Sequence, residues 1–289
     1  MKKSFSAVFL LSILLFTSCA HKVQQENRIT VTIEPQRYFA EQLVDSLFEI
    51  VTIVPSGTSP EDYDPTPQQM ANLAKSKAYL AIGKIGFENI WLNRLKRNNP
   101  DVLFFDTGEG IRYIASEFPC CASRGHHTHS GVDPHTWSSP KEVLTIVQNI
   151  YQALIEIDPD NTAVYQSNLE KLIQEINETN QTIENYLSQS SQKAFIIYHP
   201  ALTYFARDYG LTQYSIEVEG KEPTPEQLKN LINIAKKENI QTVFIQQEFD
   251  QKNAEIIAKE TGSQLVVINP LSYNWSEELI KIAQILANE

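Results

Sequence analysis

The sequence predicts an α/β protein of two lobes, each a mostly parallel sheet flanked by helices, joined by a long linking helix. Three observations predict it. Apolar strand-length runs alternate with helix-period segments up to about Asp106, the same alternation resumes near Ala194, and a polar rod with a narrow apolar stripe lies between. Behind an N-terminal leader, about 270 residues remain, enough for two compact cores.

In the first half, Arg28 to Ile33 alternates like a strand, Gln36 to Leu47 has helical period, and Phe48 to Val54 is a second apolar strand. Thr66-Pro67 is an N-cap with proline at the first helical position, opening a helix toward Ser76. Ala78 to Ile82 is a short strand, Phe87 to Arg97 an amphipathic helix, and Val102 to Phe105 another strand. Pro140 to Glu156 is helical by period. After the break at Asp158-Pro159-Asp160, a rod runs from Thr162 to Leu187 with Val164, Leu169, Leu172, Ile176, Ile183 and Leu187 as its stripe. At 1.5 Å per residue such a helix is some 38 Å long, enough to lie along both lobes. A coiled-coil arm is the alternative.

The second half repeats the pattern: strand Ala194 to Tyr198, helix Leu202 to Tyr209, strand Tyr214 to Val218, and a helix opened by Thr224-Pro225. Strand Thr242 to Gln246, helix Asn253 to Thr261, strand Leu265 to Ile268 and helix Ser276 to Leu286 complete it. Neither half has a glycine-rich phosphate loop. The divisions expected are a leader over 1–18, a lobe over 19–140, linking helices over 141–190 and a lobe over 191–289.

The leader has Lys2 and Lys3, an apolar run from Ala7 to Phe16 too short to span a bilayer, then Thr17-Ser18-Cys19. Small residues before a cysteine look like a bacterial lipobox, with Cys19 acylated as the mature N-terminus, although Phe16 stands where leucine is usual. An ordinary cleaved signal is the alternative. The formal charge of −11 falls to −13 once residues 1–18, which carry two lysines and no acid, are removed. That acidic balance argues against nucleic-acid binding and favours cationic ligands. With Cys19 lipidated only Cys120 and Cys121 remain, so this is no disulfide scaffold, and monomer is the default.

Four of the six histidines fall within ten residues, and neutral imidazole is the commonest protein ligand of zinc and its neighbours. His135 sits in a stiff context, because Pro134 fixes its own φ and biases Asp133 toward extended geometry. His126, His127 and His129 lie among Ser, Gly and Thr, a composition that fits weak auxiliary ion capture or a plain solvated loop. The adjacent thiols of Cys120 and Cys121 suit neither an easy bridge nor a wide chelate.

Ligands of open α/β sheets bind beyond the carboxyl ends of the strands. That rule selects Glu61 after Val54, His135 in the loop after Phe105, His199 directly after Tyr198, and Asn269 directly after Ile268. Two come from each lobe, so one ion in the cleft can draw nitrogen and oxygen ligands from both. Asp62 and Asp64 beside Glu61 are alternative carboxylates.

Five stretches now become specific: PSGTSPEDYDPTP at 55–67, HHTHSGVDPHTWSSP at 126–140, YHPALTYFA at 198–206, EVEGKEPTP at 217–225 and ETGSQLVVINPL at 260–271. Together they resemble the zinc and manganese substrate-binding lipoproteins of bacterial ABC importers, over essentially the whole mature chain. The resemblance implies two lobes bridged by a long helix, a metal held between them at the matched positions, an ABC permease as partner and a lipid anchor in a bacterial membrane. Two departures matter. Glu61 replaces the family's usual histidine, and Asn269 replaces its frequent aspartate. Glutamate hardens the site, so Mn²⁺ and Fe²⁺ become alternatives, while two histidines keep Zn²⁺ foremost. Asn269 offers only a neutral carbonyl oxygen, with water as the alternative fourth ligand.

The function this implies is extracytoplasmic capture of a divalent metal and its delivery to a permease, not catalysis. A rigid linking helix should limit hinge opening and leave release to local loop movement. The rivals are a zinc hydrolase using two histidines and one glutamate, and a metal-binding adhesin without a permease. No His-Glu-x-x-His helix supports the hydrolase.

Overall fold

Both halves of the chain build the same sheet. The computed structural model describes residues 24–115, 131–218 and 220–287. The first half runs β1 (Arg28–Val31), α1 (Glu34–Val44), β2 (Glu49–Thr52), α2 (Pro67–Leu73), β3 (Ala78–Ala81), α3 (Gly86–Asn98) and β4 (Leu103–Asp106). Two linking helices follow, α4 (Pro140–Ile157) and α5 (Thr162–Ser188). The second half runs β5 (Ala194–Ile197), α6 (Thr203–Asp208), β6 (Thr212–Ser215), α7 (Pro225–Glu238), β7 (Thr242–Gln246), α8 (Lys252–Thr261), β8 (Gln264–Ile268) and α9 (Trp275–Ala287). The sheets are ordered β2-β1-β3-β4 and β6-β5-β7-β8, with every pairing parallel. In each, strand order reverses between the first and third strands, which opens a crevice at their carboxyl ends.

Local chemistry sets the helix starts. Thr66 and Thr224 each form a capping box with the glutamine three residues on, and Ser139 accepts from the Glu142 N–H, each followed by proline at the first helical position. The rod buries Tyr165, Leu169, Leu172, Ile176, Thr179, Ile183 and Leu187, a three-to-four-residue spacing into which Tyr165 fits. Val164, expected in the stripe, lies one position off it and is 41% exposed. The coiled-coil alternative fails because α5 packs along α1, α4 and α9.

Strand β6 starts two residues before the expected Tyr214. Its register is set by β5, with Ala194 opposite Thr212, and the bonding continues past Ser215 as Ile216 and Glu217 N–H groups donate to Ile197 and Tyr198 carbonyls. That continuation fixes Glu217 next to the residue after β5.

One apolar core runs through both halves. It joins Ile29, Val31 and Phe39 of the first lobe to Val147 and Ile176 of the linking helices and to Phe195, Phe244 and Trp275 of the second. A smaller core lies under the other face of the second sheet, where Ile196, Val243 and Ile245 meet Leu231 and Ile257. Burial of each such side chain contributes about 1.5–3 kcal/mol. Among the described residues no helix is long and apolar enough to cross a membrane.

Candidate metal centre

His135 is aimed by its neighbours. Asp133 Oδ1 accepts both the His135 backbone N–H and Nδ1–H, each at 2.9 Å. Asp133 is itself held across the lobes, its carbonyl accepting from Tyr204 Oη at 2.7 Å. Burial pushes the Asp133 carboxyl up, but the charge of His135 and hydrogen bonds from His135 and Thr203 outweigh it and leave the group below its ordinary range. The His135 ring meets Trp137 edge-on at 5.2 Å.

His199, leaving β5, is clamped through its backbone by Gln246. The Gln246 side chain accepts the His199 N–H at 3.3 Å and donates to its carbonyl at 2.7 Å. Its Nδ1 faces Glu217 Oε1 at 2.8 Å, and Phe249 stacks on the ring at 5.6 Å and 17°. Burial lowers the proton affinity of His199, but the Glu217 hydrogen bond and the charges of Glu217, Glu61 and Asp133 raise it further, for a net shift upward.

Glu61 is set by the start of α3. The Phe87 N–H donates to Pro60 O at 2.9 Å, and the Gly86 N–H donates to Glu61 Oε2 at 3.2 Å. Gly86 is required for this approach: a Cβ there would lie 2.7 Å from both the Cα and the carbonyl carbon of Glu61 and closer still to its oxygen. The other carboxylate oxygen, Oε1, is buried without a hydrogen-bond partner among the described residues.

These three residues meet. The two Nε2 atoms are 3.0 Å apart, His135 Nε2 is 3.7 Å from Glu61 Oε1, and the three ligand atoms all lie within 4.8 Å of one another. Because Asp133 and Glu217 each hold an Nδ1–H, both Nε2 atoms carry lone pairs, a tautomer that follows from the network. With both rings neutral, two nitrogen lone pairs and one orphaned carboxylate oxygen therefore converge with no donor among the described residues. A cation resolves this. Bonds of 2.0–2.2 Å in a tetrahedron separate ligand atoms by roughly 3.3–3.6 Å, and the observed pair distances bracket that span.

The other expected ligands divide. Asp62 and Asp64 are exposed, and Asp64 accepts from Trp91 Nε1 at 3.0 Å. Asn269 stands apart from the trio: Oδ1 accepts the Leu271 N–H at 3.1 Å, its own N–H donates to Glu278, and it does not line the cavity. It shapes the turn that brings Pro270 and Leu271 to the cavity wall. His126, His127, His129, Cys19, Cys120 and Cys121 lie outside the described residues.

Sequence reasoning missed the carboxylates behind the histidines. Asp133 was detectable two residues before His135, whereas Glu217, 18 residues from His199, gave no local signal. Gly86 and Gln246 likewise act through the fold alone.

Known proteins carry the same architecture. The high-affinity zinc uptake system protein ZnuA of Bacillus subtilis (strain 168) is 26% identical over 295 residues, covering 96% of this chain and 92% of that protein. The crystal structure of a ZnuA superposes with a TM-score of 0.84 at 39% identity, over 90% of this chain and 98% of that one. A ZnuA deletion mutant with zinc bound gives 0.83, also at 39% identity, over 90% and 96%. The family model described as zinc-uptake complex component A, periplasmic, matches residues 29–284, and this chain belongs to that family.

Proposed function

We propose that this protein captures a divalent transition-metal ion, Zn²⁺ foremost, between its lobes outside the cytoplasmic membrane and delivers it to an ABC permease. Glu61, His135 and His199 are the ligands, and Cys19 carries a lipid anchor. Residues 19–140 and 191–289 act as the metal-binding lobes, and residues 141–190 hold them together. The observation that carries this reading is the convergence of three acceptor atoms, each oriented from behind, with no donor among the described residues to satisfy them when both rings are neutral.

Zinc is favoured over Mn²⁺ and Fe²⁺ by two imidazoles and by the general order of divalent affinities. Calorimetric titration of metal-free protein with the three ions tests this, repeated on His199→Ala and on a variant lacking His126, His127 and His129. Tight zinc binding should survive loss of the loop and vanish with His199. Submicromolar affinity that disappears with the loop would put the main site elsewhere. Metal-dependent turnover of esters or peptides, abolished by His199→Ala, would support the hydrolase instead.

A further inference from the structure

We propose that Glu248 is the fourth ligand, its carboxylate turning inward to close the coordination sphere left open by Glu61, His135 and His199. The inference rests on the metal-capture reading above and adds a residue to it. Three protein ligands leave one position of a tetrahedron open. Asn269, which sequence position suggested, is engaged on the Leu271 N–H and does not reach the cavity.

Three further polar side chains line that cavity beside the trio's own. Ser59 Oγ accepts the Glu61 N–H, and Gln246 is committed at both ends to the His199 backbone. Glu248 alone keeps an uncommitted carboxylate, bonded to nothing beyond its own backbone N–H among the described residues. It is also well anchored on either side. Gln246 fixes the chain two residues before it, and Phe249 stacks on the His199 ring directly after it.

Glu248 stands outside the trio whose ligand atoms lie within 4.8 Å and is half-buried in the cavity lining, so its side chain must turn inward to meet the ion.

The test is a crystal structure of the zinc-loaded protein together with competition titrations of Glu248→Gln, Glu248→Ala, Glu61→Gln and His199→Ala, each checked for folding by its melting curve. Expected are a Glu248 oxygen at about 2.0–2.2 Å from the ion and a roughly 10–100-fold loss of zinc affinity in both Glu248 variants. Water in the fourth position, with both Glu248 variants within twofold of wild type and Glu61→Gln and His199→Ala still weakened, would overturn this inference and leave the trio standing. Unchanged binding in His199→Ala and Glu61→Gln as well would overturn the capture reading itself.

Discussion

Gly86→Ala should behave like removal of a metal ligand, although Gly86 contacts no ion. The added methyl would stand 2.7 Å from the Cα and carbonyl carbon of Glu61, where ordinary contact begins at about 3.4 Å. The Glu61 backbone must therefore withdraw by roughly 0.7 Å at least, and coordination distances tolerate only about 0.2 Å. Two hydrogen bonds tie the segments together, Phe87 N–H to Pro60 O and Gly86 N–H to Glu61 Oε2, so the retreat carries the carboxylate with it. The expected outcome is a roughly 10–100-fold loss of zinc affinity, about 1.4–2.7 kcal/mol. Competition with a chromophoric chelator reads this on protein kept well below its melting temperature, since overpacking also destabilises the fold by about 1–3 kcal/mol. The decisive comparison is Gly86→Ala, Glu61→Ala and the double variant. If Gly86 acts through Glu61, the double variant binds no more weakly than Glu61→Ala. Additive losses, or Gly86→Ala within twofold of wild type, would refute the reasoning.

Asp133→Asn and Glu217→Gln each keep an acceptor for Nδ1–H but remove the charge that makes the ring a better donor to metal, so each should weaken zinc binding about 10–100-fold by the same titration. The raised pKa of His199 gives metal-free and loaded protein opposite pH responses. Without metal, the His199–Glu217 pair stabilises fully below the unfolded histidine value of about 6.5 and its contribution is lost as pH rises through the higher folded value. With zinc bound, a neutral ring is required, so affinity and melting temperature fall as pH drops through that same value; melting curves of both forms across this range check the crossing. Glu88 sits buried beside Tyr79, accepting from Thr32 Oγ1 and from the Ile82 and Gly83 N–H groups, and burial pushes its carboxyl up to about 7. The contribution of a raised carboxyl is present below its unfolded value and lost as pH rises through the folded one, here a loss of about 3 kcal/mol between pH 4.5 and 7. Denaturant titrations should find Glu88→Gln flatter across that window than wild type.

Periodicity made most of the fold legible. The short apolar run that marks β7 and the N-cap threonines that open α2 and α7 are local signals, and the structure places those elements at the expected residues. Strand order was not legible, because which strand pairs with which is decided by long-range packing. The same divide runs through the site. Glu61, His135 and His199 follow strand ends and could be picked by that rule, and Asn269 could be picked by it equally well, yet the turn at Pro270 engages its amide on the backbone. Following a strand brings a residue to the crevice, but what its side chain does there depends on the donors nearby. Glu217 is the converse case: it opens the matched stretch at 217–225, but only the β5–β6 register places it behind His199.

The way the lobes are joined determines how an ion can leave. Trp137 Nε1–H donates to Pro270 O at 2.9 Å and Trp275 Nε1–H donates to Trp137 O at 2.7 Å, so the two tryptophans lace the loop after β4 to the loop after β8. Tyr273 Oη donates to Glu41 at 2.6 Å and Tyr204 Oη to Asp133 O at 2.7 Å, and the common core runs behind all four bonds. Rotating one lobe away from the other would break these bonds, each worth about 0.5–1.5 kcal/mol net, and expose core on α4 and α5 as well. Withdrawing Glu61 leaves those four bonds and the common core intact. Its loop is tied to α3 by the Gly86 and Phe87 N–H groups and by Trp91 Nε1 on Asp64, and the Gly86 bond is long at 3.2 Å. The exit step is therefore movement of the segment around 55–65, with the histidines left in place by Gln246, Glu217 and Asp133. Crystals of metal-free and zinc-loaded protein should superpose lobe on lobe while that segment differs between them, and a rigid-body rotation of one lobe by tens of degrees would show that the tryptophan lacing does not hold.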